Sequence, residues 1–296
     1  MKNIDAYIQY LLKEKRYSLH TVVSYAKDVK SFHEFLGNQI PDEQIDQRHV
    51  RQWIMHLSKQ GLNHKSINRK ISSLKSYYKF LYITHTLSTF PLEGIRNLKV
   101  EKKIQIPFSE SEMQSVARDH FPDNFDGFTQ YLIIVLFYNL GLRKSELIEL
   151  QLSDYQRDNF RIKGKGNKER LVPVSDNLQK LLEEYLEQRE KIVTHKTATY
   201  FFIKKGQKLN QTFVYRLINN YFRRVTSKEK RSPHILRHSF ATHLVQNGAE
   251  INAVKELMGH ASLSSTQIYV NNNIEELKKI YQTAHPRNLR EDKSNY

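Results

Sequence analysis

The sequence contains no cysteine, which excludes a disulfide framework, a thiolate metal site and a cysteine nucleophile. Glycine and proline are scarce, at 10 and 7 of 296 residues, as in a folded chain rather than a disordered one. No apolar run approaches the roughly 20 residues of a membrane-spanning helix. The first residues, Met-Lys-Asn-Ile-Asp, hold no apolar signal region. We therefore expect a cytoplasmic protein with no membrane partner.

Acidic residues are too few to balance the basic ones. The 47 Lys and Arg face 31 Asp and Glu, which leaves a net charge of +16. Both the part before about residue 105 and the remainder are basic, so the excess is not confined to one tail. This spread favours nucleic acid as a partner, bound with an affinity that falls as salt rises. Composition alone also allows a merely solvated basic surface.

Residues 1–98 predict an N-terminal domain of four helices. Ser18 is expected to begin the second helix, Gly37 to end it, and Ser66 to begin the fourth. The apolar positions that recur at helical spacing lie within 4–12, 22–36, 50–57 and 67–81. The fourth run has basic positions that would suit a DNA phosphate backbone, or simply solvent: Lys65, Arg69, Lys70, Lys75 and Lys79.

Residues 99–108 are charged and lack periodicity, which predicts a linker. Ser109 and Glu112 form a capping box that opens a second domain, 109–286, followed by a tail at 287–296. The predicted helices of this domain lie at 128–140, 143–150, 175–193, 210–225 and 233–246. Strands are predicted at 160–163 and 170–174, joined by turn residues into a β-hairpin, with a further candidate at 200–203. The predicted fold class is mainly α with a small β-hairpin insert.

Two segments of the second domain place basic side chains where they could bind an anion. His234 and Arg237 lie three positions apart at a helix start, which favours anions through its free N–H groups. Arg143 lies in Gly-Leu-Arg-Lys-Ser-Glu-Leu, where one helix ends and another begins. Each guanidinium can hold two phosphate oxygens in a planar fork. Ordinary explanations remain open. His234 and Arg237 could be a surface pair, and Arg143 could form an ion pair with Glu146 or Glu149.

Further along, Gly259 predicts a helix end that leaves His260 at a turn, and Ser264 predicts the cap of a short helix that carries Tyr269. One tyrosine among 17 is structural by default. Tyr269 gains significance only from the order of all these motifs together.

That order resembles the tyrosine recombinases, in particular the Xer-type recombinases, over the whole chain. The motifs are Gly-Leu-Arg-x-Ser-Glu-Leu, Gly-Lys-Gly-Asn-Lys-Glu-Arg, His-x-x-Arg-His, Gly-His, the tyrosine nine residues later, and Ala-His-Pro-Arg near the end. The resemblance implies an N-terminal four-helix core-binding (SAM-like) domain and a catalytic domain of the DNA breaking-rejoining fold. It also implies no cofactor and no metal, in keeping with a sequence that lacks a His-Glu-x-x-His cluster.

The resemblance assigns the central chemistry to four residues. Tyr269 would attack the phosphorus, release a 5′-hydroxyl and leave a 3′-phosphotyrosine link. Arg143 and Arg237 would bind the non-bridging oxygens, where charge concentrates. Lys165 would protonate the departing 5′-oxygen as general acid.

Two histidines complete the catalytic set that the resemblance implies. His234 would take the tyrosine proton or orient the phosphate, and His260 would donate a hydrogen bond to the same phosphate. Lys163 and Lys168 flank Lys165 on the hairpin. We expect both to contact DNA, although either could be confused with the general acid.

The function that the resemblance implies is site-specific recombination of double-stranded DNA, resolving chromosome or plasmid dimers at cell division. The chain would act in a tetrameric synaptic complex, with itself or with a paralogous recombinase. An integrase or transposase of a mobile element would use the same six residues and is the alternative. A non-catalytic architectural DNA-binding protein would lack one of them, and none is missing. The periodic stretch 274–280 predicts a helix that docks on a neighbouring protomer or folds back on its own domain.

Overall fold

The computed structural model describes residues 3–101, 105–164, 169–193, 199–259, 280–281 and 283–286. The chain folds as two compact units, residues 1–103 (unit 1) and 104–296 (unit 2). Each unit has its own hydrophobic core. No helix of the described ranges is long and apolar enough to cross a membrane.

Unit 1 consists of four helices around an aromatic core. The helices are α1 (Ile4–Lys13), α2 (Leu19–Phe35), α3 (Gln47–Lys59) and α4 (His64–Ile83). Trp53, Tyr77 and Tyr78 are fully buried and pack edge-to-face around Phe32 or against each other. Such aromatic pairs bury much apolar area and add a favourable edge-to-face contact. The predicted four-helix domain is therefore confirmed.

The helix starts in unit 1 are set by side chains that accept backbone hydrogen bonds. Ser18 caps α2 by accepting from the backbone N–H of Thr21 at 3.4 Å, which confirms the predicted start. The predicted start of α4 at Ser66 is wrong. Asn63 occupies the cap and accepts from the backbone N–H of Ser66 at 2.9 Å, so Ser66 already lies in the first turn. Asparagine is among the best N-caps because its short side chain reaches these free N–H groups.

The described part of unit 2 is mainly helical and carries two short hairpins. Its elements are α5 (Glu110–Gln114), α6 (Phe125–Leu140), α7 (Lys144–Glu149), β1 (Asn159–Lys163), β2 (Glu169–Pro173), α8 (Asp176–Glu190), β3 (Ile203–Lys204), β4 (Gln207–Lys208), α9 (Gln211–Val225), α10 (Pro233–Gln246) and α11 (Ile251–Leu257). The capping box at Ser109 and Glu112 is confirmed, with backbone-to-side-chain distances of 3.1 and 2.6 Å. The helices predicted at 128–140, 143–150, 175–193, 210–225 and 233–246 are all present, with ends shifted by a few residues.

The centre of unit 2 is α6, which is buried on nearly every side. It ends at Gly141, whose φ of +55° is left-handed. Glycine suits this position for a second reason: a Cβ there would lie 2.4 Å from Cδ1 of Phe240. The chain can therefore turn tightly out of the core and enter α7, which brings the end of α6 next to α10.

The predicted hairpin is present as the antiparallel pair β1–β2. Phe160 lies opposite Val172, and Ile162 lies opposite Arg170. Phe160 and Ile162 are buried in the core of unit 2, whereas Lys163 at the strand end is exposed. This alternation fixes which face of the hairpin points inward.

The strand predicted at 200–203 is largely wrong. Tyr200 forms an isolated bridge with Gln151, and the backbone N–H of Phe201 donates to the carbonyl of Leu150 at 2.8 Å. A strand begins only at Ile203 and pairs across a tight turn as β3–β4. The backbone groups of residues 200–201 are taken up by these distant partners, so they are not free to extend the strand.

The last described residues pack against their own unit. Tyr281 and His285 are completely buried. Asn247, just after α10, donates to the carbonyl of Ala284 at 3.0 Å, and Nε2 of His285 donates to the carbonyl of Tyr138 on α6 at 3.3 Å. The helix predicted at 274–280 lies outside the described residues except for its final position.

Candidate active site

Three arginines of unit 2 surround one buried carboxylate. Glu146 on α7 is 6% exposed, and three arginines from separate segments surround it. Arg143 lies just before α7, Arg170 lies on β2 and Arg237 lies on α10. We call these four side chains the arginine cluster. Two of its members, Arg143 and Arg237, are the residues that would bind the phosphate according to the resemblance described above.

Arg143 contacts Glu146 through both its backbone and its side chain. The backbone N–H donates to Oε2 at 2.7 Å, and Nη1 donates to Oε1 at 2.6 Å. Of the two possible acidic partners, Glu146 is therefore the one used, while Glu149 pairs with Lys208 at 2.6 Å. The Arg143 side chain remains 35% exposed. Among the described residues, its Nε and Nη2 have no hydrogen-bond acceptor, so these N–H groups are available to an anion.

Arg170 binds the same carboxylate through a planar fork. Its Nη1 donates to Oε1 of Glu146 and its Nη2 donates to Oε2, both at 2.9 Å. The Arg170 side chain is only 7% exposed, and that of Glu146 3%. Two parallel charge-assisted hydrogen bonds fix the plane of the carboxylate as well as its position.

Arg237 is held by backbone carbonyls at the ends of two helices. Its Nη1 donates to the carbonyl of Gly141 at 2.6 Å, and its Nη2 donates to the carbonyl of Met258. Nη1 also lies 3.6 Å from Oε2 of Glu146. Only 5% of the side chain is exposed. Carbonyls at helix C-termini carry partial negative charge, so they stabilise this buried cation without neutralising it.

The pKa values of the cluster follow from burial and mutual charge. Burial alone would raise the pKa of Glu146, but the hydrogen bonds and charge of Arg170, followed by those of Arg143, hold it at about 2. Burial lowers the pKa of Arg237, and the charges of Arg143 and Arg170 lower it further, to about 9. Both groups remain ionised at neutral pH. The cluster therefore has more positive than negative charge, which favours an anion such as a phosphodiester.

The backbone after α11 passes beside this cluster. Gly259 ends the helix with a left-handed φ of +66°, as the sequence predicts. A methyl group at Gly259 would lie 3.3 Å from Cδ of Arg170 and 3.8 Å from Nη1 of Arg143. The segment that leads into His260 is thus placed next to the arginines.

The structure brings together part of the catalytic set that the sequence predicts. Arg143 and Arg237 both contact Glu146. His234 lies in the first turn of α10, one turn before Arg237, and is exposed. Three predicted catalytic residues lie outside the described residues: Lys165, His260 and Tyr269.

The basic residues predicted to bind DNA on α4 differ in exposure. Lys65 is exposed. Arg69 and Lys70 both bind the buried carboxylate of Asp28, and their side chains are 48% and 16% exposed. Lys75 donates to a backbone carbonyl beyond α4 at 2.6 Å. Lys79 is exposed as well. Lys65 and Lys79 are therefore the exposed lysines of this set, and Arg69 is half-exposed although both of its terminal nitrogens bind Asp28.

On the hairpin, Lys163 lies at the end of β1 and forms an ion pair with Asp154, with Nζ 3.4 Å from Oδ1. Asp154 is buried, whereas 48% of the Lys163 side chain is exposed. Lys168 lies outside the described residues.

The sequence pattern does not identify Arg170 as part of this site. Arg170 is the last residue of the Gly-Lys-Gly-Asn-Lys-Glu-Arg motif, and Glu146 belongs to the Gly-Leu-Arg-x-Ser-Glu-Leu motif. The motifs give neither residue a role in the site: Arg170 is otherwise predicted only as a strand residue, and Glu146 only as one of two possible partners of Arg143. One signal is present in hindsight: Arg170 begins a predicted strand whose next residues are Leu-Val-Pro-Val. A charged residue at the start of an apolar strand is favourable when it has an oppositely charged partner.

Comparison with known proteins gives matches for both units. A model described as the phage integrase family matches residues 119–276. A second model, the phage integrase N-terminal SAM-like domain, matches residues 4–85.

Solved structures of similar fold include two recombination proteins. XerH site-specific recombinase bound to its palindromic difH substrate is similar with a TM-score of 0.68 and 23% identity, covering 93% of this chain and 79% of that one. The Tn1549 transposon integrase in complex with circular intermediate DNA gives a TM-score of 0.69 and 17% identity, covering 92% of this chain and 98% of that one. These similarities show the shared fold.

Curated relatives match along almost the whole chain. A tyrosine recombinase of Pseudothermotoga lettingae is 36% identical, covering 90% of this chain and 92% of the relative. Tyrosine recombinase XerD of Rickettsia prowazekii is 34% identical over 97% of this chain and 98% of the relative. Tyrosine recombinase XerC of Chlorobaculum parvum is 31% identical over 96% and 94%. The chain therefore belongs to the phage integrase family, as a tyrosine recombinase with an N-terminal SAM-like domain.

Proposed function

We propose that this chain is a site-specific DNA recombinase that holds the cleaved strand as an ester of Tyr269. The arginine cluster is the observation that carries the proposal. It is cationic, and the Arg143 side chain is 35% exposed, with its Nε and Nη2 lacking an acceptor among the described residues. The XerC and XerD names of the curated relatives support the same activity.

The two arginines would divide the binding of the scissile phosphate. Arg143 would donate hydrogen bonds from Nε and Nη2 to the non-bridging oxygens in a fork. Arg237, whose Nη1 and Nη2 are held by backbone carbonyls, would add its charge at short range. Charge on these oxygens rises in the transition state, so fixed cations lower the barrier.

Side chains of this chain would accept and donate every proton that the cleavage step requires. The Tyr269 oxygen would form a bond to phosphorus as its proton passes to His234. The bond from phosphorus to the 5′-oxygen breaks, and Lys165 protonates the leaving oxygen. A free tyrosine has a pKa of about 10, so the cations nearby would assist its ionisation. Attack by a second 5′-hydroxyl reverses the step and joins the strands, and the ester retains the energy that rejoining needs.

The wider role that we propose is the resolution of chromosome or plasmid dimers at cell division, in the cytoplasm. The site would be assembled from double-stranded DNA and four protomers, either identical or shared with a paralogous recombinase. An integrase of a mobile element would use the same six residues. A test for recombination at a site near the replication terminus, against a site at the end of a mobile element, separates the two roles.

The covalent step is tested with a site selected from random duplexes by binding to this protein. A nicked form of the selected duplex traps cleaved product, and the adduct is detected by denaturing electrophoresis. The full chain should form the adduct, while Tyr269→Phe should bind the duplex with similar affinity and form none. Undiminished adduct with the variant would place the nucleophile elsewhere. The absence of adduct with the unaltered chain would contradict the proposed function itself.

The general acid is tested by changing the leaving group. Lys165→Ala should cleave an ordinary phosphodiester very slowly. It should recover much of its rate on a 5′-bridging phosphorothiolate, because a thiolate leaves without a proton. Lys163→Ala and Lys168→Ala are the matched controls from the same hairpin. If sulfur rescues one of them instead, the acid is that lysine.

A further inference from the structure

Arg170 lies where several predicted catalytic segments meet. It begins the apolar part of β2, shortly after the segment that contains Lys165 in sequence. Its guanidinium binds Glu146, which in turn holds Arg143. Its side chain also lies against Gly259, as the 3.3 Å approach to a Cβ there shows. The side chain of this hairpin residue thus contacts α7 through Glu146 and the end of α11 at Gly259.

The fork between Arg170 and Glu146 determines how Arg143 is presented. Oε1 of Glu146 accepts from both Nη1 of Arg170 at 2.9 Å and Nη1 of Arg143 at 2.6 Å. Oε2 accepts from Arg170 and from the backbone N–H of Arg143. If the fork were lost, the carboxylate could rotate about its terminal torsion, which is soft. Arg143 would then lose the fixed acceptor that leaves its other N–H groups exposed.

We propose that Arg170 is a positioning residue for DNA cleavage, which fixes the Glu146 carboxylate so that Arg143 is held ready for the scissile phosphate. The Arg170 side chain is buried and its two terminal nitrogens are bound to Glu146, so it acts through that carboxylate rather than on DNA. The inference rests on the proposed function, since it concerns the same cleavage step.

Charge and geometry can be separated at this position. Arg170→Lys keeps the positive charge but cannot form the planar fork, because an ammonium is a point donor. Arg170→Met removes both while keeping a long side chain. If Arg170 acts by positioning Glu146, Arg170→Lys should keep little more activity than Arg170→Met. If Arg170 acts only through its positive charge, Arg170→Lys should keep most of the activity of the unaltered chain.

The first test is single-turnover cleavage of the nicked, selected duplex by the full chain. Arg170→Met and Arg170→Lys should each cleave about 100-fold more slowly, the loss typical of a catalytic group displaced by roughly 1 Å. Affinity for the duplex should change much less. Adding Arg170→Met to Arg143→Ala should cause no further loss, because Arg170 acts through Arg143. Multiplied losses in the double variant would overturn the proposal.

The second test uses a methylphosphonate at the scissile position, in which a methyl group replaces one charged oxygen. An arginine that stabilises charge on that oxygen matters less for this substrate. The defects of Arg143→Ala and Arg170→Met should therefore both shrink. Arg189→Met is the matched control, since Arg189 is a buried arginine of the same unit, 2% exposed, that donates to the backbone carbonyls of Tyr200 and Phe201 and not to Glu146. Any loss it causes should be equal on the two substrates.

Each outcome has one consequence. If the unaltered chain forms adduct and Arg170→Met cleaves at the same rate, the positioning role is refuted while the proposed function stands. An equal defect on both substrates, like that of Arg189→Met, assigns Arg170 a merely structural role. If Arg170→Met does not fold, as judged by thermal unfolding, the ratio of the two substrates for Arg170→Lys decides the matter.

Discussion

Replacing Glu146 with glutamine removes the carboxylate of the arginine cluster while nearly keeping the shape of the side chain. The pKa of Glu146 is about 2 in the folded chain, against about 4.3 for an unfolded glutamate. A difference of roughly 2 units corresponds to about 3 kcal/mol of folding free energy at neutral pH. We therefore expect Glu146→Gln to lower the free energy of unfolding of unit 2 by about 3 kcal/mol, within the range for breaking a buried ion pair.

The lowered pKa of Glu146 also predicts how the stability lost in Glu146→Gln changes with pH. Because the pKa is lower in the folded than in the unfolded state, the stabilisation is complete above about pH 4.3 and is lost as the pH falls through about 2. The stability difference between the unaltered chain and Glu146→Gln should therefore be constant from neutral pH down to about pH 5 and should then shrink.

Urea unfolding at a series of pH values measures both effects. Circular dichroism follows both units, while the fluorescence of Trp53, the only tryptophan of the chain, follows unit 1. Glu149→Gln is the matched control: it lies on the same helix, and its pair with Lys208 is 63% exposed on the carboxylate side, so it should cost less than about 1 kcal/mol. Equal losses for the two variants, or a difference that does not change with pH, would refute the reasoning.

Two further outcomes are expected. Gly141→Ala should lower the free energy of unfolding by more than about 2 kcal/mol, because the new methyl group would overlap the Phe240 ring. Gly248→Ala, where φ is +90° but the space is open, should cost only about 1 kcal/mol, and equal chemical denaturation midpoints would contradict this. Burial lowers the pKa of His243, which is hydrogen-bonded to Tyr138. The free energy of unfolding should therefore fall as the pH drops below about 6.5, the pKa of an unfolded histidine. His243→Gln should remove this pH-dependent loss. If the variant and the unaltered chain show the same pH profile of unfolding, His243 is not its source.

Features of the fold that depend on neighbours in sequence were predictable. The caps at Ser18 and Ser109 and the stops at Gly141 and Gly259 rest on hydrogen bonds or φ angles within one turn. The error at α4 has the same local origin. Asn63 and Ser66 both favour a helix start, and the pattern alone does not rank them.

Features that depend on distant backbone groups were not predictable. The stretch from Tyr200 has the apolar composition of a strand, but the carbonyls of Tyr200 and Phe201 accept from Arg189, and the N–H of Phe201 donates to the carbonyl of Leu150. The β3–β4 strands have two residues each, too short to show a period. The same holds for Arg170, whose partner Glu146 lies 24 positions earlier. Motif order predicted the arginines that would meet the substrate, whereas the residue that fixes them comes from tertiary contact.

The partners of the arginine cluster explain how one site can be both stable and attractive to a phosphate. Three buried or half-buried guanidiniums repel one another, and among the described residues Glu146 is the only carboxylate within ion-pair distance of them. A second carboxylate would neutralise more of the charge and compete with the phosphate. Carbonyls at the ends of α6 and α11 hold Arg237 instead. Because these carbonyls contribute only partial charges, the cluster stays folded while part of its positive charge is left for the substrate.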